Sequence, residues 1–457
     1  MITGRTPITA LIILAAILPV SFITAQDSGQ FAAVRREVLL NDLTVIGVPD
    51  TAGSFELYIA LKHGALFDPP QKQGTAYLTA RCVAQQLRER IRLDFSQDRP
   101  AAEQPSVQLE TWVTADGTFF RLSGPVEHLT FAGRALAEIL PAADFDEAVI
   151  GPVKTEVIAE IRALERQPCY LAQRRLRQVL MQPSPYAFPP RGTSDSLSVI
   201  EAADLIRFYR RCYLPNRTIL LISSPLSGKD FRLFATRFFG MWTKQEAPEY
   251  NFPKADPAGT PTGLLQQTGD TDGCCIAVGA ETLPVKHDDT PALHVLRRIL
   301  QKRLVEPAGS RNGYVIDTES EGHLKNGVFL INAAGPAAAA SEVTSAIHQS
   351  VQDLIRGGCS PAEFLGARND LVEEFLAQRA EAARRNQLLV HAEFYRLGVR
   401  YLDDYPDQLD GLIREDIAYL AGKYLAGIKT VIVSRDPIQT EGFPIELQQF
   451  SGRDEHR

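Results

Sequence analysis

The chain has little of what most chemical sites are made from. Its 457 residues hold six cysteines and eight histidines. No two cysteines stand in the C-x-x-C spacing of a metal or redox site, so Cys82, Cys169, Cys212, Cys274, Cys275 and Cys359 read as packing residues. Cys274 and Cys275 would point to opposite faces of a strand, which argues against a bond between them; other pairings stay open. The histidines are scattered. His287 and His294 have no carboxylate placed as a ligand between them and read as surface or capping residues. Ser223-Ser224 and Gly357-Gly358 lack the context of a nucleophile elbow or a phosphate loop. Positive charge is short too: 48 Lys and Arg against 55 Asp and Glu give −7, which argues against nucleic acid or an anionic membrane surface as the main partner. After residue 25 no apolar run is long enough to read as a membrane span.

What is there is ordinary for a large globular chain, 45% hydrophobic and 23% charged, and the length exceeds what one core usually holds. Arg5 precedes an apolar run from Ala10 to Ile23, and Ile23-Thr24-Ala25 ends in a small residue before Gln26. Residues 1–25 therefore read as a signal peptide of an exported, periplasmic or extracellular protein. An uncleaved leader acting as a membrane anchor is the alternative.

Residues 38–49 read as a hairpin turning at Asn41-Asp42, and Phe55 to Leu61 as an alternating strand before a helix over 74–87. A polar loop over 95–106 precedes a second hairpin around Ala115-Asp116-Gly117, and helices follow over 129–140 and 145–164. Residues 204–222 give helix, Pro215-Asn216 turn and strand; residues 416–434 echo them. More weakly, 274–304 echo 55–86. Pro248, Pro253, Pro257 and Pro261 mark an extended connector. The organisation expected is a leader (1–25), a first domain (26–243), a linker (244–263), a second, similar domain (264–442) and a polar tail (443–457). The fold class is α+β, each domain a mixed, mainly antiparallel sheet packed with helices.

One stretch carries chemistry by what it omits. Leu61-Lys62-His63-Gly64-Ala65-Leu66-Phe67-Asp68-Pro69-Pro70 leads into Gly74-Thr75-Ala76-Tyr77-Leu78-Thr79-Ala80-Arg81-Cys82-Val83. This resembles the start of the insulinase/pitrilysin family of zinc peptidases, whose helix opens on Gly-x-Ala-His-x-x-Glu-His. The hairpin at 38–49 and the helix–turn–strand at 204–222 resemble the same family, in the same order. By that resemblance Tyr77 stands at the first His, Ala80 at the catalytic Glu and Arg81 at the second His. Zinc takes neutral imidazole or anionic ligands, whereas Arg offers only donors. Ala80 has no group to accept a proton from water.

Glu160 falls at the family's third ligand, 160 − 81 = 79 residues beyond Arg81. Val153 replaces a supporting acidic residue. Glu160 also reads as a plain helix carboxylate pairing with Arg166 or Lys154. Arg311 and Tyr314 lie where relatives hold the substrate backbone. The resemblance thus implies two halves facing across a chamber, no cofactor where active relatives carry zinc, and a non-catalytic subunit. Such a subunit would hold extended peptide at a sheet edge and pair with an active zinc-bearing paralogue. Arg81 and Glu160 would then form an ion pair in place of the metal. Two rival readings are an active zinc peptidase with divergent ligands and a stand-alone peptide-binding or scaffold protein.

Overall fold

A computed structural model describes residues 34–96, 107–249, 251–256, 259–269, 271, 273–308, 313–398 and 400–450. The leader over 1–25, most of the polar loop and Arg311 lie outside the described residues. Two six-stranded sheets carry the fold. The first is built from β1 (Arg35–Val38), β2 (Thr44–Pro49), β3 (Ser54–Leu61), β4 (Gln108–Val113), β5 (Thr118–Pro125) and β6 (Thr218–Ser224), in the order β1-β2-β6-β3-β5-β4. The second comprises β7 (Gly263–Gln267), β8 (Cys274–Thr282), β9 (Val315–Gly322), β10 (Gly327–Gly335), β11 (Lys429–Ser434) and β12 (Leu447–Phe450), in the order β12-β7-β11-β8-β10-β9.

The orders superimpose strand for strand. Each sheet has a parallel pair at the same inner place, β2 with β6 and β7 with β11. Only the outermost strand differs. β1 reaches β2 through a tight turn and must run antiparallel, whereas β12 arrives from the far end of the chain and lies parallel to β7. The segment expected as a polar tail therefore supplies a strand. Its sequence, Leu-Gln-Gln-Phe, hid it, because an edge strand needs backbone pairing more than apolar side chains.

Period-two alternation puts Phe55, Leu57, Ile59 and Leu61 of β3 on one face of the first sheet. There they meet α1 (Thr75–Ser96), α2 (Leu129–Ile139) and α3 (Glu147–Leu164). α1 gives the core Leu78, Cys82, Val83 and Leu87, and α3 gives Ile150, Val153, Val157 and Ile161, spaced three and four apart as a buried helical stripe requires.

The halves then exchange helices. α4 (Pro168–Met181) belongs to the first half by sequence, yet Leu171, Ala172, Leu176, Val179 and Leu180 pack on Ala277, Val328, Leu330, Val431 and Val433 of the second sheet. Conversely, the helix Ala382–Phe394 packs on β3 and β6 of the first sheet. There Asn386 Nδ2 donates to Glu56 Oε2 at 2.8 Å and Arg36 pairs with Glu393 at 2.8 Å. The described residues are accordingly one compact unit.

Two of the six cysteines are not mere packing residues: Cys169 at the start of α4 is bonded to Cys275 in β8. Their separation of 106 residues left no local spacing to read. Among the described residues no helix is long and apolar enough to cross a membrane.

Candidate functional site

The loop entering α1 is fixed by close backbone approaches. Asp68 accepts from Gly74 N at 2.7 Å and from Ala76 N at 2.8 Å, answering the free N–H groups of the helix start. Burial pushes its carboxyl up, against the pull of those two donors. Gly74 has φ +94°, and a Cβ there would sit 2.6 Å from Arg191 O. A Cβ at Gly192 would lie 2.2 Å from Gln73 O, so only glycine lets the 191–192 backbone run this close.

That approach delivers Arg191 onto the site, its guanidinium carbon 5.5 Å from the Tyr77 ring centre. Tyr77 and Ala80 are buried, at 7% and 1% exposure. Arg81, one turn beyond Tyr77, donates to the Tyr77 hydroxyl at 3.1 Å and reaches across to α3. It holds Glu160 with two hydrogen bonds, Nη1 to Oε2 at 2.8 Å and Nη2 to Oε1 at 3.0 Å, and Nη2 also donates to Glu156 Oε1 at 2.9 Å. Burial pulls the guanidinium down, but the hydrogen bonds to Glu160 and Tyr77 outweigh it and hold the group above its ordinary range. Beneath, burial pushes the Cys82 thiol up to about 12, which keeps it inert.

These residues do not fit zinc. Both Glu160 oxygens accept from Arg81, and Arg81 presents N–H groups where a ligand must present a lone pair. Ala80 offers no base. Among the described residues no group of three or more His, Cys, Asp or Glu could hold a metal ion.

Lys154 is not the partner of Glu160, because its Nζ donates to Ser198 O and Ile200 O, both at 2.8 Å. Val153 is a core residue at 5% exposure. Tyr314 must be corrected as a substrate-holding residue. It is 1% exposed, its hydroxyl donates to Pro336 O at 2.9 Å, and its ring lies on Gly335, where a Cβ would be only 2.4 Å away. A phenol so placed has no face left for a peptide.

His287 caps the helix Thr290–Ala308, accepting from Asp289 N at 3.0 Å. His294 is not a surface residue: its Nδ1 lies 2.7 Å from the Tyr405 hydroxyl, and burial pushes it down to about 4. Sequence reasoning missed Glu156 and Arg191. Glu156 could have been found, since it stands one turn before Glu160 on the same helix face. Arg191 carried no local signal.

Over residues 200–371 the sequence matches the family described as the peptidase M16 inactive domain. It is 24% identical over 170 residues to the non-peptidase homologue YmxG of Helicobacter pylori, a stretch covering 37% of this chain and 39% of that protein. The fold is similar to the crystal structure of a peptidase M16 inactive domain from Pseudomonas fluorescens, with TM-score 0.76 and 18% identity, over 90% of this chain and all of that one (100%). It is also similar to the periplasmic protease PqqL from Escherichia coli, with TM-score 0.70 and 12% identity, over 88% of this chain and 48% of that chain. An inactive-domain match and a non-peptidase relative accord with a chain that needs no cofactor. The matched sequence over 200–371, the paired sheets and a helix that keeps the frame of the zinc site without its ligands together support a non-catalytic member of the M16 (insulinase/pitrilysin) peptidase family.

Proposed function

We propose that this chain is an exported, non-catalytic M16 subunit that holds extended peptide and pairs with a zinc-bearing subunit. The observation that carries the reading is the occupied metal corner: Arg81 takes both oxygens of Glu160, with Tyr77 and Ala80 in the other chemical positions. The frame around it is intact, so what is left is a surface for binding rather than cleavage. Export draws support from the Cys169–Cys275 bond, since disulfides persist in oxidising compartments, and from the leader-like first 25 residues. Pairing draws support from length: the longer PqqL chain matches over 48% of itself, which suits a shell made of two such units. Peptide would add to the edge of a sheet through backbone groups, for which no metal is needed.

The test uses the secreted full-length chain. Incubated with zinc and a quenched peptide library it should cleave nothing, yet bind an unstructured peptide. Co-expressed with an M16 subunit bearing an intact His-x-x-Glu-His, it should co-purify in a stoichiometric complex. Cleavage by the chain alone, or failure to bind either peptide or subunit, would overturn the reading.

A further inference from the structure

Asp116 stands in the turn between β4 and β5 and is fully buried, at 0% exposure. Its carboxylate is reached from three other segments. Oδ1 accepts from the Tyr186 hydroxyl at 2.7 Å, and Oδ2 accepts from the Tyr395 hydroxyl at 3.1 Å and from Leu324 N at 3.1 Å. His323 Nδ1 lies 3.7 Å from Oδ2, and its ring stacks on Tyr186 at 4.9 Å.

These partners come from both halves. Tyr186 follows α4, His323 and Leu324 form the β9–β10 turn, and Tyr395 closes the helix Ala382–Phe394. The turn's backbone is held as well. Ala115 O accepts from Leu66 N at 3.0 Å, in the loop that leads to α1. On the other side a Cβ at Gly117 would lie 2.6 Å from the Phe394 ring.

A carboxylate alone can accept three donors through two oxygens; an amide of the same shape turns one of those oxygens into an N–H₂ that faces donors. α4 remains on the second sheet by its apolar stripe and by Cys169–Cys275, so the charge at Asp116 is not what keeps that helix in place.

We propose that Asp116 is a pin between the halves. It holds the β4–β5 hairpin against the second half, and its release lets the β9–β10 turn and the end of the helix Ala382–Phe394 part from the first half together. Because β4 is the edge of the first sheet, the pin sets how far that edge opens toward the second half. This inference does not depend on peptide binding or on a partner subunit.

Hydrogen exchange followed by mass spectrometry on full-length Asp116→Asn tests it. Amides of 322–327 and 390–397 should exchange at least tenfold faster, while those of β3 and β8 stay as in the wild type. Unchanged exchange, or a uniform acceleration through both sheets, would overturn the pin. Tyr395→Phe keeps the carboxylate and its other donors, and serves if the first variant does not fold. It should speed 390–397 about tenfold, a change of the size one hydrogen bond to a charged acceptor gives, and leave 322–327 nearly unmoved. Equal acceleration of every segment there would also count against the proposal.

Discussion

Replacing Arg81 with Met, Glu160 with Gln, and both together asks how much of the metal's bridging role the ion pair has taken over. Arg81→Met keeps an unbranched stem and removes three ionic or polar contacts, to Glu160, Glu156 and Tyr77. Exposed pairs are worth about 0.2–1 kcal/mol, whereas breaking a buried pair costs about 3–5 kcal/mol. Here the side chains are 14% exposed on Arg81 and 38% on Glu160, so water can re-solvate the orphaned carboxylate. The two-point contact still fixes geometry that a single contact would not. The expected cost of Arg81→Met is therefore about 1–2 kcal/mol, with a coupling to Glu160 of about 1 kcal/mol. Both of the chain's 2 tryptophans, Trp112 in β4 and Trp242 in the first core, lie in the half that carries the pair, so urea unfolding read by their fluorescence reports the right unit. A coupling under about 0.3 kcal/mol, within the scatter of independent sites, would refute the idea that Arg81 bridges α1 and α3. So would an Arg81→Met variant more stable than the wild type.

Restoring Tyr77→His, Ala80→Glu and Arg81→His beside the native Glu160 should let the chain bind about one zinc, measured by metal analysis after dialysis; no uptake would mean that α1 and α3 are not held at ligand spacing. His63, His294 and His391 are each pushed down to about 4 by burial. The unfolded chain takes up those protons near pH 6.5 while the folded one refuses them, so stability should fall as pH drops from 6.5 toward 4, by at most about 1.4 kcal/mol per pH unit for each histidine. Urea midpoints at pH 7.5 and 4.5 check this, and His391→Gln should flatten the slope; a profile flat in the wild type would refute it. Paired Cys169→Ser and Cys275→Ser substitutions open a loop of 106 residues, and loop entropy sets an upper bound of about 4–5 kcal/mol on the loss. An unchanged thermal midpoint would show that the apolar stripe of α4 alone fixes that helix.

The strands and hairpins were legible because their signals are local. Asn41-Asp42 and Asp116-Gly117 mark turns, and alternation at Phe55, Leu57 and Ile59 marks a buried face. The Arg81–Glu160 contact was legible through the spacing that the family resemblance implies and through helix periodicity, not through any interaction the residues announce. The exchange of helices was not legible. Leu171, Ala172, Leu176 and Val179 declare an amphipathic helix, but periodicity names a buried face and not the sheet that buries it. The disulfide was hidden for the same reason. Tyr314 misled because a phenol has the same letter in a core and in a binding site; the missing Cβ of Gly335 beneath it was the clue, and it lies 335 − 314 = 21 residues away.

The absence of a metal does not by itself explain why position 81 holds a cation. The apolar stripes of α1 and α3 already hold the two helices together, so a neutral residue at 81 would not have undone the packing. It would have left Glu156 and Glu160, one turn apart on the same helix, without the hydrogen bonds Arg81 gives them, and like charges so placed cost about 0.2–0.5 kcal/mol. Zinc in active relatives would answer such a carboxylate with positive charge. Arg81 answers both at once, through hydrogen bonds at 2.8, 2.9 and 3.0 Å. The corner therefore keeps the charge balance of a metal site while presenting donors where a metal would need ligands, which is why it can bridge α1 and α3 without offering zinc a ligand set.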